Sequence, residues 1–350
     1  MSTARALIWR TAEKVGALRA WQLAGSRSTL TVIGLHRVLP DGDDRLPWAI
    51  PEFTISDRLL VSALGFLAER YEFVSIAQVL DAADGGRPLP SRALLLTIDD
   101  GWSDSLDVTG RILSGMGLPS LLFVAAGLVD SQHGAWQNEL HARLHFNGEA
   151  ALRAVLADAG FPATLRAGQA PFDALCDLLE PLTPVHRRAV LDGLGELPAC
   201  PSGPQFLSAD QLRSVVALGM DIGLHGMSHE RLTGAVDLSI ELEGARARVS
   251  GWLGGAAPSL RALSFPHGRY GPELVARARA AGFDALFTSE LTVTPLHAHR
   301  PQSPLFGRLW LGQASLADAD SRLRYEAMYN RLLRAPRRAP DATPSPWFRA

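Results

Sequence analysis

Short apolar runs that end in a polar, chemistry-bearing residue recur along this chain, and helical patterns lie between them. Leu30–Leu35 (LTVIGL) is apolar and β-branched, and His36 follows it. Ala93–Ile98 (ALLLTI) leads into Asp99, Asp100 and Gly101. Ser120–Val124 (SLLFV) is a third run, Met220–Leu224 (MDIGL) leads into His225, and Leu260–Phe265 leads into Pro266 and His267. Phe283–Thr288 and Leu305–Leu311 are weaker candidates. Runs of this length bounded by turn residues read as short buried strands. Helical periodicity covers Ile55–Arg70, Asp104–Met116, Ala209–Ala217, Leu238–Leu253 and Pro272–Ala281. Strands alternating with helices specify a mainly parallel sheet. Six or seven such units can close into a barrel, whose chemistry then sits at the C-terminal ends of the strands. The histidines and the paired aspartates fall at those ends.

Residues 131–207 interrupt the alternation. Their helical patterns (Asn138–Leu144, Glu149–Ala157, Ala170–Leu179 and Pro184–Leu194) read as a helical insertion, either a lid beside the site or a scaffold elaboration. Three segments follow: 1–28, 29–334 with the insertion inside it, and 335–350. The last is rich in Pro and Arg and reads as a poorly ordered tail. Ala4–Leu23 reads as an amphipathic helix carrying Trp9 and Trp21. Such a helix either lies on a membrane surface or packs on the domain. Arg5, Arg10, Glu13, Lys14 and Arg19 break its apolar stretch, so it does not read as an export signal. A cytoplasmic or inner-membrane-associated location is the resulting expectation.

Net charge is −2, which gives no electrostatic case for binding nucleic acid. Lys14 is the only lysine among the basic residues. Cys176 and Cys200 make neither a disulfide framework nor a metal spacing, and they read as small buried apolar residues.

Three clusters carry chemistry. In Thr97-Ile98-Asp99-Asp100-Gly101, two adjacent carboxylates at a strand end are costly when buried unpaired. A divalent cation relieves that cost, with one carboxylate on the metal and its neighbour taking a proton from water. The alternative is a surface Asp-Asp-Gly turn. In His225-Gly226-Met227-Ser228-His229, histidines four apart suit a shared metal, and Ser228 is placed to orient a ligand. Two His and one carboxylate leave coordination positions open for water and substrate. In Ser264-Phe265-Pro266-His267-Gly268, a rigid turn exposes backbone amides able to hold a tetrahedral oxyanion.

TIDDG, HGMSH and SFPHG, in this order and separated by α/β units, resemble the polysaccharide deacetylases (the NodB-homology domain, carbohydrate esterase family 4). The resemblance runs from about Val32 to about Leu311. It implies a distorted (β/α) barrel, with Asp99 as general base. Asp100, His225 and His229 are the implied ligands of a divalent metal, zinc in the first instance, with cobalt or nickel as alternatives. Two departures stand out. Ser264 and Phe265 occupy the region where many members have an Arg ahead of the third motif's Pro, and His267 stands where they have Tyr after it. The late Leu-x-His motif that supplies the general acid is replaced by Phe306-Gly307-Arg308-Leu309. His297 and His299 lie before it and read as surface histidines. Gly34-Leu35-His36-Arg37-Val38, however, resembles the opening of a circularly permuted branch that acts on exported or cell-surface polysaccharides. There the acid histidine sits on the first strand, which implies that role for His36.

The resemblance implies an oxyanion role for the Pro266–His267 backbone, and Arg308 resembles a late family arginine near the site. Trp102, Asp104 and Trp136 are either site-lining residues, Trp136 by stacking on a sugar, or packing residues and helix caps. His133, His141, His145 and His186 are left as ordinary histidines. The expected reaction is hydrolysis of an N-acetyl group on a glycan. The alternatives are an O-acetyl ester or another small amide at the same metal, and a non-catalytic glycan-binding protein on the same fold.

Overall fold

The computed structural model describes residues 29–131, 135–158, 171–200, 205–255, 257–296 and 305–340, with Gly16, Ala20, Gly160 and Gly203. The helix expected over 4–23, except at Gly16 and Ala20, and the side chains of His133, His297 and His299 lie outside these residues. The chain divides into two compact units, one of 1–41, 51–130 and 206–350, the other of 42–50 and 131–205.

The first unit is built on strands β1 (Thr29–Leu35), β2 (Arg37–Val38), β3 (Thr54–Ile55), β4 (Glu72–Phe73), β5 (Arg92–Ile98), β6 (Ser120–Val124), β7 (Met220–Leu224), β8 (Ala262–Ser264), β9 (Ala285–Phe287), β10 (Thr294–Pro295), β11 (Leu305–Phe306) and β12 (Leu309–Trp310). The main sheet runs β10-β1-β5-β6-β7-β8-β9-β11, and β2 and β3 form a small parallel pair of their own. Apart from the antiparallel β1–β10 pair, its ladders are parallel. β12 pairs with β1 while β11 pairs with β9, so the segment Leu305–Trp310 links one end of the strand row to β1, the second strand from the other end, and nearly closes a barrel.

That segment explains a difference from expectation. A continuous strand over 305–311 is predicted, yet two short pieces form around Gly307 and Arg308. Gly307 packs so closely on the 290–292 turn that a Cβ there would lie 2.4 Å from the Glu290 carbonyl oxygen. Arg308 N–H donates to that carbonyl at 2.8 Å. The chain therefore leaves β9 and joins β1 at this kink.

Alternate strand residues divide between two cores. Leu30, Val32, Ala93, Leu95, Leu121, Phe123 and Phe287 pack with Val79 and Leu80 of the helix Ile76–Ala83. Ile33, Leu94, Leu96, Leu122, Ile222 and Leu286 pack with Leu60, Leu64, Val249 and Leu274 of flanking helices. Both faces of each strand are covered, which is why these strands read as continuous apolar runs rather than alternating ones. Each large apolar side chain so buried contributes about 1.5–3 kcal/mol over an exposed one.

Helix starts follow their local sequence. Ser75 and Ser208 form capping boxes with Gln78 and Gln211, and Ser56 accepts from Leu59 N–H. Two expected helices begin differently. Ser105–Gly110 and Ile240–Gly244 are π-helical before the chain tightens into Arg111–Met116 and Ala245–Leu253, which end at the left-handed Gly117 and Gly254. Widened turns of this kind recur beside functional sites. Residues 335–340, read from sequence as the start of a loose tail, are tied down: Val293 N–H donates to Pro336 O at 2.9 Å and Arg338 pairs with Glu290 at 3.1 Å. The remainder, 341–350, lies outside the described residues.

The second unit packs the helices Trp136–Asn147, Glu149–Asp158, Pro171–Leu179 and Pro184–Gly193 around Leu140, Leu152, Leu156, Leu175, Leu179 and Leu191. Glu139 pairs with both Arg143 and Arg188. Cys176 and Cys200 are free, and burial pushes the Cys176 thiol up to about 12, so it serves as apolar filling.

Candidate active site

Parallel register sets the constellation. Leu35 pairs with Ile98, so His36 and Asp99 leave adjacent strand ends together, and Asp99 N–H donates to Leu35 O at 3.0 Å. Val124 pairs with Leu224, which carries His225 to the same end. Ser264 ends β8, directly before Phe265, Pro266 and His267.

Asp100, His225 and His229 converge, with their ligand atoms all within 4.8 Å of one another. Asp100 Oδ1 lies 3.1 Å from His229 Nε2 and 3.4 Å from His225 Nε2. This oxygen is buried and has no hydrogen-bond partner among the described residues. Asp100 Oδ2 accepts from the Trp102 indole N–H at 2.8 Å. His225 Nδ1 donates to Ser264 O at 2.8 Å, which leaves Nε2 unprotonated and facing the carboxylates. An orphaned carboxylate oxygen and two imidazole nitrogens form a donor set that fits a divalent cation, with positions open for other ligands. Burial raises the Asp100 carboxyl, but the charge of His229 opposes it and holds the carboxyl far below its ordinary range. Burial lowers His225 to about 4, whereas in His229 the Asp100 carboxylate overcomes burial and raises the pKa.

Backbone strain is concentrated here. Five described non-glycine residues have positive φ, and three of them are Asp100 (82°), His229 (60°) and His267 (57°). Such conformations cost of order 1–3 kcal/mol each and persist where the surroundings enforce them.

Asp99 is 1% exposed. Arg308 Nη1 lies 2.6 Å from its Oδ1, and Ser264 Oγ donates to its Oδ2 at 3.3 Å. Arg308 is completed by Ser264 Oγ at 2.8 Å and Thr288 O at 3.1 Å. Burial raises the Asp99 carboxyl, but the charges of Arg308 and His225 win and hold it below the carboxylate range, so it is ionised. The sequence resemblance placed Arg308 near the site, and its guanidinium is spent there on Asp99, Ser264 and Thr288.

His36 stacks on Trp310 at 4.6 Å between ring centroids and lies 4.8 Å from the ring of Phe53. Gly34 permits this, because a Cβ there would lie 2.6 Å from the Trp310 ring. Burial lowers the His36 pKa, against the Asp100 and Asp99 carboxylates that raise it.

The remaining sequence candidates separate. His267 donates its Nε2 proton to His229 O at 2.9 Å, and burial drops its pKa to about 3. Trp102 is buried, stacks on Phe206 at 4.1 Å and lies under the Arg37 guanidinium at 4.4 Å. Its site contact is with Asp100. Asp104 accepts from Arg37 Nε at 3.0 Å and from Val38 N–H at 2.9 Å, fastening the His36 segment to the Asp99–Asp100 loop. Trp136 belongs to the second unit, where it packs against that unit's core beneath Arg187 at 4.5 Å.

Sequence reasoning missed Arg37 and Glu241. Glu241 accepts from Met227 N–H, Ser228 N–H and Ser228 Oγ at 2.7, 3.1 and 2.6 Å. Neither residue has a motif that marks it.

Comparison with known proteins follows the same lines. A family model for polysaccharide deacetylase matches residues 86–286, more than half of the chain. No curated protein sequence matches. Among solved structures, a de-N-acetylase from Aggregatibacter actinomycetemcomitans is similar at TM-score 0.55 and 17% identity, over 87% of this chain and 99% of its own. IcaB from Ammonifex degensii is similar at TM-score 0.53 and 19% identity, over 82% and 94%. The Streptococcus pyogenes deacetylase PplD is similar at TM-score 0.52 and 14% identity, over 82% and 93%. At these identities the structures show a shared barrel. With its DDG and HxxxH motifs meeting at the end of that barrel, the chain belongs to the polysaccharide deacetylase family of carbon–nitrogen hydrolases.

Proposed function

We propose that the protein removes N-acetyl groups from a glycan with the help of a divalent metal, zinc in the first instance, held by Asp100, His225 and His229. The observation that carries this reading is the juxtaposition of that ligand set, with its buried, orphaned Asp100 oxygen, and a second carboxylate, Asp99, fixed by Arg308. A bound cation would polarise the acetyl carbonyl and make a nearby water more acidic.

Asp99 is the general base. Its carboxylate is ionised, oriented from two sides, and one residue from the ligand Asp100. Arg308 lowers its basicity but fixes its direction, so geometry rather than proton affinity supplies the advantage. His36 is the general acid for the leaving amine. Burial lowers its pKa, so the ring must first take up a proton, the one Asp99 draws from the water, before giving it to the leaving amine, and the Trp310 stack fixes the ring plane. The strained Pro266–His267–Gly268 turn supplies backbone positioning for the oxyanion. Asp99, His36 and the ligand set all stand at one end of the barrel, where this fold places chemistry.

The structural neighbour described as a de-N-acetylase supports an amide over an ester as the scissile bond. Acetate release from a panel of N-acetylated and O-acetylated oligosaccharides, with metal-loaded and chelated protein side by side, tests the reading. Metal-dependent release from N-acetylated members is expected. Release from O-acetyl esters alone would replace it with an esterase.

A further inference from the structure

The two histidine ligands lie at either end of the loop His225–His229, and the middle of that loop is gripped by one side chain. We infer that Glu241 is a positioning residue that sets the metal affinity of this site by holding His225 and His229 at their spacing. The inference rests on the metal reading above.

The loop's backbone shows why a grip is needed. Its carbonyls are already taken: Gly226 O accepts from Ala126 N–H at 3.0 Å and Met227 O from Gly127 N–H at 2.7 Å. Its amides point the other way. Glu241 Oε2 accepts from Met227 N–H at 2.7 Å and Ser228 N–H at 3.1 Å, while Oε1 accepts from Ser228 Oγ at 2.6 Å. Ser228 Oγ in turn accepts from Glu230 N–H at 3.2 Å, which carries the grip past His229. A charged acceptor on neighbouring amides makes shorter, stronger bonds than a neutral one.

Three local features are shaped around this carboxylate. Gly226 has φ 76°, and a Cβ there would lie 3.0 Å from Glu241 Oε2. Glu241 itself stands in the π-helical turn Ile240–Gly244 and is largely buried. His229, which ends the loop, is held at φ 60°, a conformation a histidine does not keep without restraint. Ser228 is exposed and Met227 half-buried, so water would satisfy the two amides if the carboxylate were removed. Loss of Glu241 therefore releases the loop's geometry more than it leaves unpaired groups behind.

Charge and shape are separable by substitution. Glu241→Gln keeps the length: its carbonyl oxygen can accept the two amides and its NH2 can donate to Ser228 Oγ. Glu241→Asp keeps the charge but falls one carbon short of the amides. The test is titration of Co²⁺ into each full-length protein, followed by its visible absorption against a competing chelator, with the thermal midpoint of the metal-free protein measured beside it. Glu241→Asp and Glu241→Ala are expected to weaken Co²⁺ binding about 10- to 100-fold, the usual range for groups that orient metal ligands. Glu241→Gln is expected to bind close to wild type. Wild-type affinity in the aspartate variant would overturn the inference, whatever its effect on the metal-free midpoint. Weakening in the glutamine variant greater than in the aspartate variant would also overturn it, in favour of a charge effect. Failure of the wild type to bind Co²⁺ would remove the metal reading itself and this inference with it.

Discussion

Arg308 and Asp99 form a buried ion pair 209 residues apart in sequence, with Nη1 2.6 Å from Oδ1 and side chains 1% and 2% exposed. The guanidinium comes from the kink at which β11 passes into β12, so barrel closure and orientation of the base are one event. Removing the cation leaves a buried, unpaired carboxylate. Arg308→Ala should cost about 3–5 kcal/mol of stability and raise the Asp99 pKa. Arg308→Lys keeps the charge but cannot fork to Asp99, Ser264 and Thr288 together. Denaturant unfolding and acetate-release kinetics on both variants check this. The lysine variant should retain more stability than activity.

Arg37 and Asp104 make a second buried pair, 1% and 0% exposed, between the His36 segment and the loop after Asp100. Asp104→Ala should cost about 3–5 kcal/mol, because it strands the guanidinium in the core. Replacing both with apolar residues, as in R37M/D104L, should recover most of that loss in urea unfolding. Activity should stay low, since Val38 N–H has also lost its acceptor.

Gly34 lies under Trp310, and Trp310 under His36. Gly34→Ala must displace the indole, with an overpacking cost of about 1–3 kcal/mol. The expected result is a lower kcat with unchanged metal content. Unchanged kcat would remove the Trp310 stack from the account of His36.

In the second unit, burial raises the Glu139 carboxyl, but hydrogen bonds from Arg188 and Arg143 hold it below its ordinary value of 4.5. A depressed carboxylate contributes stability above the unfolded pKa and loses it as pH falls through the folded one. Glu139→Gln should therefore lower the thermal midpoint at neutral pH. The difference from wild type should shrink once the pH drops well below 4.5. A pH-independent difference would mean packing, not charge, is at stake.

The strand ends were legible in the sequence because β1, β5, β6 and β7 are buried on both faces, and unbroken apolar runs stop where the chain turns. His36, Asp99, Asp100 and His225 follow those stops directly. What was not legible depends on closure. Nothing local links Arg308 to Asp99, Arg37 to Asp104 or Glu241 to the HGMSH loop. The first two exist because the barrel brings distant segments together, and the third because the π-helical turn after the loop folds back onto it. The strand expected over 305–311 failed for the first of these reasons: its apolar pattern is continuous, but Gly307 is pressed against the Glu290 carbonyl and the chain must pass from β9 to β1. The π-helical turns also escape a periodicity reading, since one added residue per turn leaves the apolar pattern helical.

The division of labour between adjacent carboxylates is the central claim, and Asp99→Asn against Asp100→Ala tests it most directly. Both variants would be purified, their bound metal quantified, and acetate release from an N-acetylated oligosaccharide measured beside the wild type. The account predicts that Asp99→Asn keeps its metal and loses most turnover, while Asp100→Ala loses both. Full turnover in Asp99→Asn, or full metal content in Asp100→Ala, would contradict it.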